Sequence, residues 1–122
     1  MADLNIVGVT TINGRTTATC LNNGGLSAVV TNTYGNSKTF KINNVILSSN
    51  SISLTPATAN VMFYDYSQSN AQFPIVSRLD IASNGAIDIL SKPLYLEEGD
   101  RLTANTSSNN TVTIIVSYEE LA

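Results

Sequence analysis

Apolar side chains recur at every second position along most of this chain, and no segment holds them at i, i+3, i+4 and i+7 through three turns. Alternation of that kind belongs to strands that show one face to a core and the other to water. The expected fold is therefore all-β, an antiparallel β-sandwich of about eight strands with almost no helix. In residues 4–12, Leu4 and Ile6 share one face while Val7 and Val9 share the other, so this segment needs cover on both sides. Asn13-Gly14 tolerates the positive φ of a tight hairpin and predicts a turn into a strand over residues 15–21. Asn22-Asn23-Gly24-Gly25 predicts a second hairpin turn, into residues 26–31, and Tyr34-Gly35-Asn36 a third turn.

Over residues 38–47 the phase changes. Phe40 and Ile42 share one parity, Val45 and Leu47 the other, with Asn43-Asn44 at the change. One extra residue would keep both pairs on the core, which predicts a β-bulge at Asn43-Asn44. Residues 48–60, with Pro56, read as loop with a short strand at 51–54. Residues 61–66 carry bulky groups on both faces, as a central strand does, or one covered by a neighbouring subunit. After a loop at 67–72, Phe73, Ile75, Leu79 and Ile81 keep one parity. Asn84-Gly85 predicts a hairpin to residues 86–90, and Pro93 opens a short strand at 94–96. Glu97-Glu98-Gly99-Asp100 reads as a polar, solvated turn into residues 101–106, and Val112, Ile114, Val116 and Tyr118 mark the last strand. Such spacing fits a jelly-roll or an immunoglobulin-like sandwich, and periodicity does not choose between them.

Composition narrows the class. The 122 residues suit one domain able to form its own core, with residues 1–12 set apart as an arm or edge strand for a neighbouring subunit. Apolar residues reach 43% while charged residues reach only 12%, about half the usual share. Asn, Ser and Thr fill the gap at roughly a third of the chain. Hydroxyls and amides exchange water for partner hydrogen bonds more cheaply than charged groups do, which suits permanent contacts. The six basic residues are scattered singly and the net charge is −3, so no positive stripe awaits a nucleic acid. Neither a membrane-length apolar run nor the basic start and apolar core of a signal peptide is present.

The chain has no His, which removes the commonest general base, the usual partner of a nucleophilic Ser or Cys, and the commonest nitrogen ligand of zinc. Cys20 is alone, so no internal disulfide or cysteine-rich zinc site can form, and its setting among Thr17, Ala18, Thr19 and Leu21 predicts a small buried strand residue. Glu97, Glu98 and Asp100 form the densest acidic group, but neighbours on a strand point to opposite faces and the loop lacks calcium-binding spacing. No catalytic residue, metal ligand or cofactor is expected. The aromatic residues Phe63, Tyr64 and Tyr66 are expected in the core first and at a subunit contact second, alongside Leu4, Ile6, Val7 and Val9.

From about residue 38 to residue 120 the chain resembles small virion structural proteins of tailed bacteriophages, especially those infecting cyanobacteria. The resemblance rests on Phe40-Lys41-Ile42-Asn43-Asn44-Val45-Ile46-Leu47, Val61-Met62-Phe63-Tyr64-Asp65, Phe73-Pro74-Ile75-Val76, Pro93-Leu94-Tyr95-Leu96-Glu97-Glu98-Gly99-Asp100 and the closing Val116-Ser117-Tyr118-Glu119-Glu120. It implies a non-enzymatic accessory subunit on the phage particle surface, made in the host cytoplasm. A capsid cement or decoration protein is the favoured form, a homo-oligomer such as a trimer bound to the major capsid protein or other virion proteins. A neck, tail or fibre accessory protein, including a receptor- or glycan-binding module, is the alternative. Neither nucleic acid nor membrane is implied as a partner.

Overall fold

The structure is a computed structural model that describes residues 8–49, 57–82, 84–107 and 112–122. Nine strands follow one another along the described chain: β1 (Ile12–Cys20), β2 (Ser27–Thr31), β3 (Thr39–Ser49), β4 (Ala57–Asp65), β5 (Ala71–Ile81), β6 (Ala86–Asp88), β7 (Leu94–Leu96), β8 (Arg101–Thr106) and β9 (Val112–Leu121). The one helical piece after β1 is a short 3-10 turn, Tyr66–Gln68. All-β architecture follows from the alternation directly. Every pairing is antiparallel.

Two sheets form. The first has the order β1-β9-β3-β6, with β7 in line with β6 along the same side of β3; the second has the order β2-β8-β4-β5. Ile12 faces Leu121, Thr31 faces Arg101, Leu47 faces Ile87 and Asp65 faces Ala71. The molecule is thus one long antiparallel ribbon, folded back on itself at residues 66–70 and rolled so that successive stretches alternate between sheets. That is the jelly-roll arrangement, with β6 and β7 together in the place of one strand. An immunoglobulin-like order is not adopted.

The rolled topology explains three departures from the expected turns. Asn13-Gly14 lies inside β1, because β9 offers Glu120 and Glu119 as partners across the pair and a continuous ladder outweighs the dipeptide's turn preference. Neither Asn22-Asn23-Gly24-Gly25 nor Asn84-Gly85 closes a hairpin: each carries the chain from one sheet to the other. Asn84 still takes a positive φ of 58°, so the local turn chemistry was sound while the partner was not. The expected strand at residues 51–54, residues 4–7 of that at 4–12 and Pro56 lie outside the described residues; of residues 8–12 only Ile12 is in a strand, so the expected strand is not formed there.

The bulge lies where the phase change put it. Ile42 pairs with Tyr118 and Asn44 with Ser117, which leaves Asn43 extra, and Ile42, Val45 and Leu47 are all fully buried. They share one buried core with Ala59, Val61 and Leu102 of the second sheet. β5 carries two further register shifts opposite Ala59–Val61 and Val61–Met62, around Arg78 (φ 54°) and Pro74. The single parity expected for residues 73–81 is broken there. Proline lacks a ladder donor, and an edge strand with a bulge is where a sheet accepts one.

Candidate subunit interface

The four sheet edges differ in how they treat an incoming strand. β2 is five residues long and shifts register between Ala28 and Val30. β5 has its two shifts, Pro74, Arg78 and Asp80. On the far side of β3, β6 and β7 have three residues each and are separated by a stretch with Lys92 and Pro93. Shortness, bulges, charge and proline all discourage edge-to-edge pairing. Of these β1 has only a single charge. It runs nine residues in unbroken register with β9, roughly 30 Å at the usual rise. Its one charged residue, Arg15, is held by Glu120 at 3.1 Å.

β1 is also open on its faces: eight of its nine residues are exposed and only Thr17 is half-buried. Thr16, Thr17 and Thr19 favour a strand through β-branching without needing a core. Toward Cys20 the outer face of the first sheet continues this neutral surface in cross-strand rows, Ala18–Ile115–Ile46 and Cys20–Thr113–Ser48, while toward Gly14 it carries Glu119 opposite Lys41. Cys20 is exposed, with Sγ 3.9 Å from the Thr113 hydroxyl. The expected burial of this thiol fails because β1 is an edge strand whose outward side nothing in the described chain covers. Ile12 is 61% exposed.

The expected interface residues fall into separate places. Leu4, Ile6 and Val7 lie outside the described residues, and Val9 is half-buried just before Thr10 and Thr11 donate to the Ala122 carbonyl. Phe63 faces inward on β4, opposite Leu102 and Phe73, and packs on the core. Tyr64 faces out and lies under Arg101, whose guanidinium carbon stands 3.9 Å from the ring centre. Tyr66 is exposed at the end of the sandwich against Tyr34, ring centres 4.9 Å apart. β4 is a central strand between β8 and β5, which accounts for bulky groups on both its faces.

The acidic loop is more structured than a solvated turn. Asp100 is 1% exposed and accepts backbone N–H groups of Tyr66 and Glu97, both at 3.0 Å, so it ties the β7–β8 loop to the β4–β5 turn. Burial pushes its carboxyl above the usual carboxylate range, and the two N–H donors oppose that push. Glu98 accepts from Ser37 N. Among the described residues no three His, Cys, Asp or Glu side chains cluster as a metal ligand set. Both oxygens of Asp100 are spent on loop closure. Sequence reasoning missed Asn32 altogether: it is fully buried, donates through Nδ2 to the carbonyls of Lys38 and Leu96 at 2.9 Å, and accepts from Asn36. Nothing in the sequence around it separates it from the chain's many turn asparagines.

No family model matches this chain, and no curated protein matches it. Among solved structures it is similar to a chain of Bacillus endospore appendages, described as a novel family of disulfide-linked pili, with a TM-score of 0.55 and 7% sequence identity. The match covers 100% of this chain and 96% of the other. At that identity the likeness establishes a shared all-β sandwich over the whole length, and it establishes the fold alone.

Proposed function

We propose that this chain is a non-enzymatic virion structural protein of a tailed phage, a cement subunit that stabilises the capsid shell through permanent contacts. The observation that carries the reading is the open β1 edge: three edges are blunted and one is left long, regular and nearly uncharged. A monomer has every reason to blunt that edge too. The neutral rows of the outer face toward Cys20 add surface that is cheap to desolvate. Such a subunit acts by mass action, binding the assembled shell and not its separated parts, and its repeated contacts sum along the particle. The residues ahead of Thr10 serve as the arm that reaches a neighbour, since Thr10, Thr11 and Ile12 are held by β9 and Ala122 of their own chain.

Purified particles provide the test. A density map of the intact virion should place the protein on the capsid, and a chain lacking residues 1–12 should fold but fail to join. Particles free of the protein, or full occupancy by the truncated chain, would overturn the reading.

A second reading, a fibre or tail subunit, is favoured by one specific pair of facts. The fold is similar to that of a subunit of appendages described as disulfide-linked pili, and the lone Cys20 is exposed at the end of the open strand. A disulfide-linked dimer on non-reducing gels of assembled material, the largest disulfide-linked species that one cysteine per chain allows, would favour the fibre over the cement form.

A further inference from the structure

The hydrogen bonds at the ends of β1 fix which of its groups are free. Thr11 N donates to Ala122 O at 3.1 Å and Ala122 N to Thr11 O at 3.1 Å, and at the other end Leu21 N donates to Val112 O at 2.9 Å. With unbroken register between them, the odd-numbered residues exchange their bonds with β9. Ile12, Gly14, Thr16, Ala18 and Cys20 therefore turn their N–H and C=O groups along the open edge. Five consecutive ladder positions stand ready for one more strand.

Ahead of β1 the chain also carries a short apolar segment whose sequence alternates. Thr10 and Thr11, which lead into β1, both donate to the Ala122 carbonyl. Residues 4–9 alternate as a strand does, with Leu4 and Ile6 on one parity and Val7 and Val9 on the other, and they carry no charge. Six residues span roughly 20 Å, within the length of β1. A strand apolar on both faces needs a site open on both faces, and β1 is exposed on each.

We propose that residues 4–9 of one copy add as a strand to the open β1 edge of a second copy, joining subunits head to tail. This rests on the reading of the chain as an assembly subunit, and it names the partner as another copy and the acceptor as the even-numbered positions of β1. The interface is heterologous, so each subunit both gives an arm and receives one, and copies close into a ring or continue as a filament according to the rotation between them.

The test uses two kinds of full-length variant. Thr16→Pro removes an open-edge donor and leaves the β9 ladder intact, and Ala18→Pro does the same two residues on, in case the first variant fails to fold. Ile6→Asp with Val7→Asp disables the arm and leaves β1 unchanged. Light scattering should show concentration-dependent association of the wild type, monomers for each variant alone, and a one-to-one heterodimer when edge-blocked and arm-blocked chains are mixed. An arm-blocked chain that still self-associates would mean that β1 pairs with β1. A mixture that stays monomeric would mean that the arm does not enter a second copy. Either overturns the proposal, as does a wild type that is monomeric at every concentration. Presence or absence on purified virions is read separately and judges only the proposed function.

Discussion

Tyr66 stands directly over Gly99: a Cβ on Gly99 would lie 2.6 Å from Tyr66 Cγ and 2.8 Å from its Cβ. Gly99 also holds φ at 91°, a conformation that side chains resist. The next residue, Asp100, accepts the Tyr66 N–H, so the β7–β8 loop and the fold-back of the ribbon are pressed together and bonded at one spot. Gly99→Ala meets both the strain and the clash and should cost about 2–4 kcal/mol in urea unfolding. In a Tyr66→Ala background the clash disappears and the strain stays, so the same substitution should cost about 1 kcal/mol or more less. Equal costs in the two backgrounds would show that the ring is not what excludes the side chain.

Asn32 is the polar counterpart of a core residue. Its amide nitrogen satisfies two backbone carbonyls and its oxygen accepts from Asn36, all with the side chain out of water. Asn32→Ala leaves the carbonyls of Lys38 and Leu96 without that donor, and an unmet buried polar group costs about 1–3 kcal/mol. The expected loss is about 2–4 kcal/mol for the pair. Asn36→Ala removes the donor to Asn32 and the acceptor of the Lys38 N–H, both on a half-buried side chain that water can replace, and should cost less than Asn32→Ala; thermal melts of the two variants check the ranking.

What the sequence revealed and what it hid divide along a physical line. Strand identity and the Asn43 bulge were legible because each is written in local parity: Ile42 and Val45 can both be buried only if one residue is skipped. Pairing was not legible. Whether Asn13-Gly14 turns or continues is decided by β9, a hundred residues away in the chain, and whether Asn84-Gly85 joins neighbours depends on which sheet receives β6. For Phe63, parity shows that a face is apolar and not whether a second sheet or a neighbouring subunit covers it; it packs against the core, the place expected first. The edge position of β1 had a faint signal, its run of Thr, Ala and Cys with no large apolar group on either face from Thr16 to Cys20.

The exposure of Cys20 gives a direct check on the edge assignment. A small residue on the outer side of an uncovered strand should react with a thiol reagent in the folded protein, without denaturant and at close to one equivalent. Protection in the isolated, folded monomer would place β1 under cover and remove the open edge. In an assembly built through β1 the same thiol should become slower to react, because Cys20 lies at the end of the pairing edge.

Asp65 and Asp100 flank the fold-back of the ribbon and should respond to pH in opposite directions. The Ser67 hydroxyl, 2.7 Å from Oδ1, leads in holding the Asp65 carboxyl below its ordinary value of 3.8, with Gln68 and the Ser67 N–H helping. A lowered folded value means stability that is present above 3.8 and lost as pH falls through the folded value. Burial leads in pushing Asp100 above 3.8, and the nearby Asp65 charge adds to it. A raised folded value means stability that is complete below 3.8 and lost as pH rises through the folded value. The stability lost in Asp65→Asn should therefore shrink as pH is lowered below about 4, whereas that lost in Asp100→Asn should be largest there and shrink toward neutrality. Asp100→Asn keeps one acceptor for Tyr66 or Glu97 and loses the other, so it remains destabilising throughout. Urea midpoints for the wild type and both variants from pH 3 to 7 give the two slopes. Slopes of the same sign would show that burial does not govern Asp100, and that the loop it closes is more open to water than its 1% exposure indicates.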